Sequence, residues 1–146
     1  MAVPLLDLGR RVAALEADVM AGWKALLSQS VFIGGATVEQ FESAFARYCG
    51  TTHCIAVANG TDALELALRA LEIQSGDEVI TVANAGGYTT AACHAIGARP
   101  VYIDIEPLTC QLNPELIEAA ITSKSRAVVV THLYGFMNDV GELRRR

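Results

Sequence analysis

Apolar positions along this chain follow two rhythms that take turns. Over residues 7–27, Val12, Leu15, Val19, Trp23, Leu26 and Leu27 recur three or four apart, on one side of a helix. A loop over 28–37 contains Gly34-Gly35. Thr37 stands where the N-cap of a second helix belongs; that helix runs to Tyr48, carries Phe41 and Phe45 on its apolar face, and ends before Gly50. Residues 54–58 are a short apolar run of strand character. The run breaks at Asn59-Gly60 and continues as a helix over 61–73, with Leu64, Leu66, Ala67, Leu68 and Leu71 at helical steps. A turn over 74–77 precedes a second strand over 78–82. The loop Ala83-Asn84-Ala85-Gly86-Gly87 then leads into a helix over 88–96, which Gly97 ends. Arg99-Pro100 then starts a third strand, which runs over Val101-Tyr102-Ile103-Asp104-Ile105. Asn113-Pro114 opens another helix with Pro at its first position, carrying Leu116, Ile117, Ala120 and Ile121. The most apolar strand lies over 127–131, and a last helix starts near Asn138.

Strands and helices alternate, and the strands are continuous apolar runs rather than in-and-out alternations. That pattern predicts an α/β fold: three layers, a mainly parallel sheet with helices on both faces. Ligands of such sheets sit beyond the carboxyl ends of the strands. Asn59-Gly60-Thr61, residues 84–88, Asp104-Ile105-Glu106, His132 and Tyr134 stand at those ends and are expected along one edge.

Composition narrows the picture. The chain has 146 residues, 52% hydrophobic and 18% charged, enough for a globular domain with a real core. No apolar run approaches the length of a membrane span. The N-terminus lacks the basic region of a secretory signal, so the expected place is the cytoplasm, with no membrane partner. A net charge of −5 argues against nucleic acid as a partner, and Arg144-Arg145-Arg146 reads as a solvated helix end. Cys49, Cys54, Cys93 and Cys110 form no C-x-x-C pair and have no His at ligand spacing, so they read as reduced thiols. His53 and His94 carry no metal pattern either, and no metal is expected.

The chemically richest stretch is Asn59-Gly60-Thr61. A strand that turns through Gly into a helix aims the first free backbone N–H groups, and the positive end of the helix dipole, at one spot. Gly60 permits close approach and Thr61 adds a hydroxyl, so the turn suits a phosphate; it also suits an ordinary strand–helix connection. A dinucleotide-binding domain is disfavoured, because no G-x-G-x-x-G follows the first strand. His132 reads as a general base or a hydrogen-bonded structural residue, Asp104 before Glu106-Pro107 as a turn cap, and Gly34-Gly35 as a substrate-touching loop or a plain turn.

Five segments resemble one family in its order: Val3-Pro4-Leu5-Leu6-Asp7-Leu8; Phe32-Ile33-Gly34-Gly35 with Val38-Glu39-Gln40-Phe41-Glu42; Ala58-Asn59-Gly60-Thr61-Asp62-Ala63-Leu64 with Gly76-Asp77-Glu78-Val79-Ile80-Thr81; Gly97-Ala98-Arg99-Pro100-Val101-Tyr102-Ile103-Asp104; and His132-Leu133-Tyr134-Gly135. Together they resemble the sugar aminotransferases of the DegT/DnrJ/EryC/StrS group, pyridoxal-phosphate (PLP) enzymes of fold type I. The resemblance implies that Asn59, Gly60 and Thr61 hold the PLP phosphate and that Gly34, Gly35 and His132 lie on the substrate side. It implies a keto-sugar nucleotide as substrate, glutamate as amino donor, and a homo-oligomer. It also implies an aromatic ring stacked on the pyridine. The family position for that ring is Gly86 here, and the nearest aromatic is Tyr88.

Two further family residues have no counterpart: the lysine that holds PLP covalently and moves the proton, and the aspartate that pairs with the pyridine nitrogen. Lys24 and Lys124 are the only lysines and neither fits. The expectation is therefore that residues 1–146 are the N-terminal part of an aminotransferase large domain, without the rest of that domain or the small domain, with no catalytic residue of its own and inactive alone. A sugar dehydratase of the same fold and a non-catalytic binding remnant remain the alternatives. Exposed interface surface on such a part predicts self-association.

Overall fold

The structure, a computed structural model, describes residues 4–145, and the chain divides into two compact units, 1–56 and 57–146. Val3 of the opening motif and Arg146 of the terminal triplet lie outside the described residues.

The N-terminal unit is helical. Helix α1 spans Leu8–Gln29, with the Asp7 carboxylate accepting the Arg10 N–H as its cap. None of its residues is buried, and the stripe Val12, Leu15, Val19, Trp23 and Leu27 predicted from the sequence stands more than half exposed. Helix α2 spans Ala36–Cys49. The expected cap, Thr37, lies inside it. Gly35 is the N-cap instead, at φ +77° and ψ −174°, with its carbonyl accepting the Val38 and Glu39 N–H groups. Only glycine adopts that backbone readily, so conformation outranks the threonine hydroxyl here. Gly50 closes the helix in a left-handed cap, as predicted.

The second unit is built on a parallel three-stranded sheet ordered β2-β1-β3. Its elements are α3 (Gly60–Ala70), β1 (Glu78–Val82), α4 (Tyr88–Ala95), β2 (Arg99–Ile103), a 3-10 turn (Pro114–Leu116) running into α5 (Ile117–Ala120), β3 (Ser125–Val128), a 3-10 turn (Leu133–Gly135) and α6 (Val140–Leu143). Every residue of β1 is buried, as befits a central strand covered on both faces. Val79 packs with Leu68 of α3 and Ala92 and Cys93 of α4. Ile80 and Val82 point the other way and pack with Leu112 and Ile117. The three-layer expectation is met. Burial pushes the Cys93 thiol above its usual pKa, in keeping with an inert core residue.

The run 54–58 is a correction. It joins no strand; Ile55 is exposed, and the Ala56 N–H donates to Glu42 Oε1 at 2.7 Å. Apolar character favours a strand, but a strand exists only where another strand pairs with its backbone, and among the described residues none pairs with 54–58. Of the other strands, β1 lies at 78–82 as predicted; β2 starts at Arg99 as predicted but ends at Ile103 rather than 105, and β3 spans 125–128 rather than 127–131.

The strand starts are clamped by one buried carboxylate. Glu78 accepts the Thr122 hydroxyl at 2.6 Å and the Arg99 guanidinium at 2.7 Å. The Thr122 bond lowers the Glu78 pKa most; burial opposes it, and the Arg99 and Lys124 charges add to the lowering. A lowered folded-state pKa means that this contribution is complete above the unfolded value, about 4.3, and is lost as pH falls through the folded one. Glu78→Gln should therefore lower the urea midpoint at pH 7. The gap to the unsubstituted chain should narrow steadily below about pH 4.3; a gap that stays constant to pH 3 contradicts the clamp.

Candidate functional site

Helix α3 begins at the turn singled out by the sequence. Asn59 is extended, at φ −162° and ψ 175°, and its side-chain Oδ1 accepts the N–H groups of Thr61 at 2.9 Å and Asp62 at 3.0 Å. Its carbonyl accepts from Ala63. Two of the first-turn donors are thus used by the cap. Among the described residues, the Gly60 N–H and the Thr61 hydroxyl have no partner. Asn59 shapes the turn; Gly60 and Thr61 are the groups left to bind.

Gly60 has no conformational reason to be glycine. Its φ is not in the left-handed region, and a Cβ placed on it would meet nothing within 4 Å. The open space above Gly60 belongs to a pocket of about 430 Å³ lined by Asn59, Gly60, Thr61, Leu64 and Tyr88.

Tyr88 comes to this pocket from the first position of α4, beyond the carboxyl end of β1. Its side chain is 61% exposed. Leu64, one turn into α3, was not foreseen as a site residue, because its helical spacing reads simply as core. The result is a small basin with hydrogen-bond donors at one side and an aromatic ring at another. A phosphate and a flat ring fit that donor set, and a bare metal ion does not; among the described residues no cluster of metal-ligating side chains occurs.

His132, in the same unit, does not line this pocket. His132 Nδ1 accepts the Asn138 N–H at 3.0 Å, and Asn138 also donates to Thr131 O and to Gln111 Oε1. Gln111 is buried and in turn donates to Leu133 O. His132 is thereby a bracing residue of the corner before Tyr134. Asp104 Oδ1 accepts the N–H of Ile105, in keeping with a turn cap. Gly35 is explained by its capping geometry and by a Val31 methyl 3.0 Å from where its Cβ would lie; Gly34, at φ +64°, precedes it in the same unit. Lys124 sits at the opposite end of the sheet, its carbonyl accepting the N–H of Glu78 at the start of β1. Among the described residues, no helix is long and apolar enough to cross a membrane.

Comparison with known proteins gives the chain its family. The chain is 40% identical over 129 residues to a dTDP-3-amino-3,4,6-trideoxy-alpha-D-glucose transaminase of Micromonospora megalomicea subsp. nigra, covering 88% of this chain and 34% of that protein. It is 36% identical over 144 residues to the 3-oxo-glucose-6-phosphate:glutamate aminotransferase of Bacillus subtilis, covering 98% of this chain and 33% of that protein. The crystal structure of Bacillus subtilis ntda with bound cofactor PMP superposes with a TM-score of 0.92 at 35% identity, covering 98% of this chain and 33% of that one. The chain thus spans about a third of the length of these relatives. The pattern of the DegT/DnrJ/EryC1/StrS aminotransferase family matches residues 14–145, and the chain belongs to that family.

Proposed function

We propose that this chain is the N-terminal part of the large domain of a PLP-dependent sugar aminotransferase, and that it builds the phosphate side of the cofactor site. The observation that carries the reading is Gly60. It is a helix-start glycine with no conformational or packing reason of its own, it opens onto the pocket, and it has an unused N–H beside the unused Thr61 hydroxyl. Those groups donate to the phosphate, and the α3 dipole favours its charge. Asn59 holds the two donors in place by capping the turn. Tyr88 covers the ring. When bound, PLP supplies the electron sink for amino transfer.

Glutamate as donor and a keto-sugar, carried on a nucleotide, as acceptor are supported by the names of the relatives. Gly34, Gly35 and His132 are proposed for the substrate side through the family motifs alone. Neither lysine of the chain is proposed as the covalent anchor. The exposed apolar stripe of α1 supports a homo-oligomer.

The test uses pyridoxamine phosphate, which does not condense with lysines and so reports the pocket alone. Titration calorimetry should show saturable binding, competed by inorganic phosphate. Thr61→Val should weaken it about tenfold, the worth of one hydrogen bond to a charged group. Binding that ignores both phosphate and Thr61→Val would overturn the reading.

A further inference from the structure

Gly86 and Gly87 both have left-handed backbones, at φ +70° and +76°. Gly87 is the N-cap of α4 and hands the chain to Tyr88. Gly86 has no room for a side chain. A Cβ built on it would lie 2.6 Å from Tyr88 Cε2, 3.1 Å from Cδ2 and 3.3 Å from Cζ. The nearest of these is far inside carbon–carbon contact distance. The Tyr88 ring therefore occupies the place from which a side chain at 86 would grow.

The same ring lines the pocket with Asn59, Gly60 and Thr61. It stacks on no other aromatic ring and, among the described residues, its hydroxyl makes no hydrogen bond. A large ring seated on a glycine backbone, with its outer side open, is built to contact something beyond the chain.

We propose that Gly86 is a positioning residue that seats the Tyr88 ring over the pocket, so that α4 rather than the preceding loop presents the aromatic face to the cofactor's pyridine ring. The inference rests on the cofactor reading above. The ring is supplied two residues later in the sequence, yet its atoms lie where residue 86 would place its own side chain. The glycine is what makes this possible: any Cβ there pushes the Tyr88 ring off its seat.

The experiment is a double-mutant cycle on pyridoxamine phosphate binding, with inorganic phosphate as a second ligand and the induced circular dichroism of the bound pyridine band as a second readout. Tyr88→Ala should weaken pyridoxamine phosphate about three- to tenfold, the range of one aromatic stack, and reduce the induced dichroism. It should leave inorganic phosphate binding unchanged, and Tyr88→Phe should restore both readouts. Gly86→Ala should reproduce the loss, and the double variant should be no worse than either single one. Should Gly86→Ala fail to fold, the comparison of Tyr88→Ala with Tyr88→Phe still decides. If the chain takes up no pyridoxamine phosphate at all, the cofactor reading falls and this inference with it. If it binds and Tyr88→Ala binds as tightly, or the two losses add, this inference alone falls.

Discussion

Gly60→Asp is expected to abolish cofactor binding while leaving the fold as stable as before, or more so. The fold tolerates a side chain there, because a Cβ at Gly60 meets nothing within 4 Å. An acid in the first turn of a helix gains about 0.3–1 kcal/mol from the helix dipole. Binding suffers for the same reason that stability gains. The new carboxylate takes up the Gly60 N–H and the dipole, and it faces the incoming phosphate. Two unit charges about 5 Å apart at an effective dielectric near 20 repel by about 3 kcal/mol. That is more than a hundredfold in affinity. Calorimetry with pyridoxamine phosphate and a thermal melt on the same sample measure both arms. Binding retained within tenfold would show that the phosphate sits elsewhere. A fall in Tm would show that Gly60 serves the fold after all.

The second large effect is on stability. Ile80 is 1% exposed at the middle of β1, paired with Val101 on one side and Val128 on the other. It packs with Val82, Leu112 and Ile117 beneath the sheet. Ile80→Ala removes three buried carbons and leaves a cavity that two flanking strands hold open. The expected loss is about 4 kcal/mol, at the upper part of the range for such truncations. Small domains are stable by only about 5–15 kcal/mol, so much of the margin disappears. Val19→Ala is the control. Val19 is 52% exposed on α1, and the change should stay within about 0.5 kcal/mol. Urea titrations of both variants, with slopes unchanged, would measure the contrast. A loss below 1 kcal/mol for Ile80→Ala would mean that the core does not sit on that face.

The chain itself determined a good deal. Alternating helix and strand periods, with strands apolar throughout, specified a parallel sheet between two helical layers, and the fully buried central strand β1 matches that reading. The cap at Gly50 and the stop at the end of α4 before Gly97 were legible because they are local. Ordered motifs sufficed to place the chain in its family. Other features depended on contacts between distant residues. Residues 54–58 look like a strand, yet a strand needs a pairing partner, and among the described residues none pairs with them. Thr37 looks like a cap, but the backbone of Gly35 took that role. His132 reads from the sequence as a base or a structural residue, and the structure adds an Asn138 N–H on its Nδ1. The aromatic near position 86 was ambiguous in one dimension. In the fold the Tyr88 ring lies against Gly86 and lines the same pocket as Thr61. Local chemistry can be read in order along the chain. Which groups remain unpaired, and which face one another across a pocket, follows only from the packing that brings α3 and α4 together on the same face of the sheet.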